Sequence, residues 1–94
     1  MEKLTLKDLR TAIAYVLKSD DAHASASIQD VSDEELAKYD FGKDLHMGNI
    51  RVFNVIIQLQ QIHNLNLSMD VFLGMKDNTV AAMLEAVNVQ LGKL

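Results

Sequence analysis

Few residues of this chain have the types and the spacing that catalysis or metal binding requires. The chain contains no cysteine, which excludes disulfides, thiolate zinc sites and a cysteine nucleophile. Its three histidines, His23, His46 and His63, are scattered, with no H-x-x-x-H spacing and no flanking pair of carboxylates. No Ser-His-Asp arrangement or glycine-rich phosphate loop stands out either. The sequence therefore predicts a protein that is not an enzyme, with no catalytic residue and no metal site.

Length and charge limit the class of protein further. Ninety-four residues, 49% of them hydrophobic, suit one domain spanning residues 1–94. The formal net charge of -4 argues against nucleic-acid binding, since proteins that bind phosphate backbones usually carry a basic stripe. No apolar run approaches the roughly 20 residues that span a bilayer, and no signal-peptide pattern follows the charged N-terminus. We expect a cytoplasmic protein that binds neither nucleic acid nor membranes.

The hydrophobic pattern predicts an all-α fold, in agreement with the absence of proline and the presence of only four glycines. The first predicted helix covers about 5–18 and begins with a Thr5–Asp8 capping box, and a long loop follows through the acidic segment 20–44, with a short turn from Ser32 to Lys38. A second, mostly buried helix is predicted over 49–62. A short helix in MDVFLGM, closed by Gly74, and a last helix from Asp77 or Asn78 to near Gly92 complete the prediction. Three longer helices and one short helix enclose a core only as a small bundle.

The block from Phe41 to Leu67 carries the most specific pattern. It opens as FGKDLHMGNI and closes as LQQIHNLNL. Both phrases resemble, without a gap, those of the acyl carrier protein family, which has F-x-x-D-L-G-x-D-S-L where its second helix begins and a phrase such as L-E-E-E-F-G-I-E-I where that helix ends. Thr79 and Val80 likewise resemble the T-V that opens the family's last helix. The resemblance implies an acyl-carrier-protein-like four-helix bundle and a connection with fatty-acid or polyketide synthesis.

In this alignment the family's Asp-Ser-Leu signature falls on Gly48, Asn49 and Ile50. The family's serine hydroxyl attacks coenzyme A and acquires a 4'-phosphopantetheine arm, whose thiol carries acyl groups. An asparagine amide is a poor nucleophile because its nitrogen lone pair is delocalised into the carbonyl, so we expect no phosphopantetheine cofactor on Asn49. We expect Asn49 to serve as the N-cap of the helix, so that Asn49→Ala would cost roughly 1 kcal/mol. The alternative is a ligand-binding role at the positive helix end.

The same helix also lacks the acidic residues with which carrier proteins contact basic patches on their enzymes. Its predicted outward stripe is Arg51, Asn54, Gln58 and Gln61, with Met47 at the entrance beside the degenerate attachment position. Loss of both the serine and the charge favours an interaction or regulatory protein whose partners are proteins such as acyl-transfer or synthase enzymes. Two alternatives stay open. One is a true acyl carrier with an atypical modification site or non-covalent binding of an acyl chain, and the other is an unrelated helical interaction module.

Overall fold

Six helices make up the part of the chain that the computed structural model describes, which is residues 3–19 and 22–92. In order they are α1 Leu6–Lys18, α2 Ala22–Asp30, α3 Asp33–Lys38, α4 Asn49–His63, α5 Asp70–Leu73 and α6 Val80–Gly92. Within those two ranges there is no strand, and Asp40 and Thr79 form an isolated antiparallel bridge. The prediction of an all-α fold is confirmed.

Helix α1 begins as its sequence predicts and lies at the centre of the fold. The Thr5 side chain accepts a hydrogen bond from the backbone N–H of Asp8, and the Asp8 carboxylate accepts one from the backbone N–H of Thr5, which is a capping box. Helix α1 packs against α2, α3, α4 and α6. Its inward residues are all apolar: Leu9, Ala12, Ile13, Ala14, Val16 and Leu17.

The segment after α1 is helical, so the prediction of a long loop there is wrong. Residues 22–30 form α2, and α3 follows with Ser32 as its N-cap, whose side chain accepts from the backbone N–H of Glu35 at 3.2 Å. The hydrophobic periodicity did not reveal α2, because a helix is recognised by several apolar residues at regular spacing. Among the described side chains of α2, only Ile28 is buried. Asp20 and Asp21, also assigned to the loop, lie outside the described residues. His23 lies in α2.

The half-buried Arg10 links α2 and α3 to α1. The guanidinium of Arg10 donates hydrogen bonds at 2.7 Å to the backbone carbonyls of Ile28 and Val31, and at 2.7 Å to Oδ1 of Asp33. These carbonyls belong to the end of α2 and its link to α3, where helix carbonyls lack partners within the helix. Arg10 therefore supplies the donors that this short helix needs at its C-terminus.

Helix α4 is amphipathic, and the expectation that it would be mostly buried is wrong. Its inward residues are Val52, Val55, Ile56 and Leu59, which pack toward α1. Ile50, Ile57 and Ile62 are exposed instead, at 76%, 36% and 47% of their surface. The sequence suggested burial because isoleucine and valine occur all around the helix, whereas α4 contacts the rest of the fold through one face. Asn64, in the left-handed conformation, ends the helix.

The last two helices complete the core. Helix α5 ends at Gly74 as predicted, and its Phe72 ring meets Phe53 of α4 edge to face with the centroids 4.8 Å apart. The Thr79 hydroxyl accepts from the backbone N–H of Ala82 at 3.2 Å and so caps α6, while Asp77 accepts from the Thr79 hydroxyl and backbone N–H. The cap therefore lies one or two residues after the predicted Asp77 or Asn78. Across the described ranges, every helix falls short of the length and hydropathy of a membrane span.

Candidate functional site

The segment that leads into α4 is fixed to the start of α6. The backbone N–H of Phe41 donates to the carbonyl of Asn78 at 2.8 Å, and the backbone N–H of Val80 donates to the carbonyl of Tyr39 at 3.0 Å. The Phe41 side chain is fully buried in the core. These contacts give the chain before α4 a defined position, although it has no regular secondary structure of its own.

Two aspartates build the turn that follows. Oδ1 of Asp40 accepts from the backbone N–H groups of Gly42 at 2.8 Å and Lys43 at 2.9 Å, and the Asn78 amide lies 3.4 Å from the same oxygen. The backbone N–H of Lys43 is the largest cause that lowers the pKa of Asp40 below its usual value of 3.8, and Gly42 adds to it. The carboxylate of Asp44 accepts from the backbone N–H of Asp40 at 2.8 Å. The hydrogen bonds that the two carboxylates accept therefore stabilise this turn.

The chain then reverses at His46 and turns Met47 inward. His46 has φ of 55°, in the left-handed region that a residue with a Cβ rarely occupies. The backbone N–H of Met47 donates to the carbonyl of Phe41 at 2.8 Å, and the Met47 side chain is only 3% exposed. The prediction that Met47 belongs to a partner surface is therefore wrong, because this backbone bond directs the thioether into the core.

Gly48, and not Asn49, is the N-cap of α4. Gly48 has φ of -77° and ψ of 174°, and its carbonyl accepts from the backbone N–H groups of Arg51 at 3.0 Å and Val52 at 3.1 Å. Asn49 is the first helical residue, and its side chain is exposed. Among the described residues no side chain caps this helix. The predicted capping role of Asn49 is therefore wrong, because the extended backbone conformation that an N-cap needs occurs one residue earlier.

The exposed side of α4 is uncharged. Ile50, Asn54, Ile57 and Gln61 lie on it at spacings of four, three and four residues, so they follow one line along the helix, and we call these four residues the α4 outer face. The predicted stripe matches it in part. Asn54 and Gln61 are exposed as expected, whereas Arg51 and Gln58 are half-buried at its edge.

Sequence reasoning missed Ile57 as a surface residue. The signal was available, because Ile57 lies seven residues after Ile50 and on the opposite side from the inward positions Val52, Ile56 and Leu59. Tyr15 of α1, 61% exposed, borders the same region, since Tyr15, Asn54 and Ile57 line one shallow depression between the two helices. Apolar and amide side chains thus extend from α4 onto α1.

A cleft of about 280 Å³ lies beside the start of α4 and is lined by Asn49, Phe72, Met75, Asp77 and Asn78. A second groove, of about 660 Å³, lies between α3, α6 and the start of α1, and its apolar lining includes Leu6, Leu84 and Val89. It shares no lining residue with the Asn49 cleft.

Within the described ranges, no three or more His, Asp or Glu side chains converge as a metal site would require. No protein-family model matches this chain, and no curated protein or solved structure matches it either. Function is therefore inferred from the residues at the start of α4 and along its outer face.

Proposed function

We propose that this chain is an acyl-carrier-like domain that has lost the phosphopantetheine attachment site and acts without catalysis, by contacting protein partners of lipid or polyketide synthesis. The observation that carries the proposal is the backbone at His46. This residue aligns with the glycine of F-x-x-D-L-G-x-D-S-L, and it has a φ of 55°, a conformation that favours glycine. A chain that descends from such a glycine-containing loop would keep this conformation after the substitution.

The order of the helices agrees with the same proposal. Three helices of 13, 15 and 13 residues, α1, α4 and α6, enclose the core together with α5 of four residues. The additional helices α2 and α3 lie within the long connection between the first two. The hydrogen bond from the backbone N–H of Phe41 to the carbonyl of Asn78 joins the segment that begins at Phe41 to the one that contains Thr79 and Val80. This contact supports the alignment with the family, since both segments would flank the attachment position.

The proposed loss of chemistry concerns Asn49. Its side chain is exposed at the first helical position, where the family's serine would be accessible to a transferase. The amide cannot replace the hydroxyl as a nucleophile. Gly48 replaces the neighbouring carboxylate and offers no side chain. An exposed entrance without a nucleophile can still be recognised by shape, which is why contact with proteins is the role proposed.

The partner surface is the α4 outer face together with Asn49, Arg51 and Gln58. Carrier proteins use acidic residues on this helix, so their complexes weaken as salt rises. Here the only charged side chain among these residues is the half-buried Arg51, and none is acidic, so we expect a weaker dependence on salt. Recognition here would depend on burial of Ile50 and Ile57 and on amide hydrogen bonds, and it would vary little with ionic strength.

The proposal is tested by titrating the native chain into a purified acyl-transfer or condensing enzyme of fatty-acid synthesis by calorimetry. We expect binding, and we expect its dissociation constant to change by less than about threefold between roughly 50 mM and 300 mM salt. Ile50→Glu should abolish binding, whereas Ile62→Glu, on the same helix but outside the outer face, should leave it unchanged. Equal effects of the two variants, or an absence of binding to every enzyme of these classes, would contradict the proposal.

A further inference from the structure

We draw no further inference here: the strongest candidate, the apolar groove between α3, α6 and the start of α1, carries nothing because nothing in the part of the chain that the structure describes shows what covers it.

Discussion

Adding a carboxylate at Gly48 tests whether the N-terminus of α4 has been described correctly. Gly48 is the N-cap of this helix, and its extended backbone suits any residue. A Cβ added there would meet no atom within 4 Å. An aspartate at Gly48 can accept a hydrogen bond from the backbone N–H of Ile50 or Arg51, at a helix end whose first turn contains no acidic residue.

Three contributions determine the size of the effect. Replacing glycine where the backbone is unstrained stabilises by about 0.4–1 kcal/mol through the unfolded state. The better cap adds a few tenths of a kcal/mol over glycine. A negative charge at the positive helix end contributes about 0.3–1 kcal/mol. Gly48→Asp should therefore raise the free energy of unfolding by about 1–2 kcal/mol, and each kcal/mol should raise Tm by roughly 4–8 °C for a chain of this size.

Urea unfolding at neutral pH, monitored by circular dichroism, measures this effect. Gly48→Ala separates its parts, since alanine keeps the entropic gain but caps poorly and should be nearly neutral. Asn49→Ala should also change stability by less than about 0.5 kcal/mol, because Asn49 is an exposed residue inside the helix. If Asn49→Ala cost about 1 kcal/mol while Gly48→Asp gave no gain, the helix would begin one residue later and the cap would be Asn49 after all.

Three further substitutions test other features. His46→Gly should stabilise by about 0.5–1 kcal/mol in thermal unfolding, because it relieves a positive φ; Asn64→Gly should gain less, since asparagine tolerates that conformation. Arg10→Met should cost about 2–4 kcal/mol in urea unfolding by leaving two carbonyls without donors, whereas Asp33→Ala, which removes only the exposed partner, should cost less than about 1 kcal/mol. The lowered pKa of Asp40 predicts a contribution to stability that is present above pH 3.8 and lost as the pH falls through the folded-state value, so Asp40→Asn should flatten stability against pH in that acid range.

Most helices could be predicted because capping residues close in sequence mark where they begin or end. Thr5 and Asp8 mark the start of α1, Ser32 and Glu35 mark α3, and Gly74 marks the end of α5. Each signal is a hydrogen bond within three or four residues, which sequence spacing alone can reveal. Helix α2 lacks an apolar stripe in its sequence. It is held by Ile28 and by Arg10, which is 18 residues away along the chain, and such a contact has no local signal.

The start of α4 was predicted from the sequence, but the arrangement of the residues around it was not. The sequence predicts the start of α4 to within one residue. The observed N-cap is Gly48 and not the predicted Asn49, because glycine also adopts the extended conformation of a cap. Met47 turned inward because of its bond to the Phe41 carbonyl. Ile50 and Ile57 are exposed because no other described helix covers that side of α4. Each of these facts depends on tertiary contacts that hydrophobicity does not specify.

Introducing the Asp-Ser pair of the acyl carrier protein signature is the most direct test of the proposed carrier-like ancestry. The Gly48→Asp/Asn49→Ser double variant and the native chain are incubated side by side with coenzyme A and a permissive phosphopantetheinyl transferase, and their intact masses are measured. We predict that the native chain gains no mass and that the double variant gains one phosphopantetheine arm at low yield, since its outer face is still uncharged. A pantetheine arm on the native chain, or its complete absence from a folded double variant, would contradict the account.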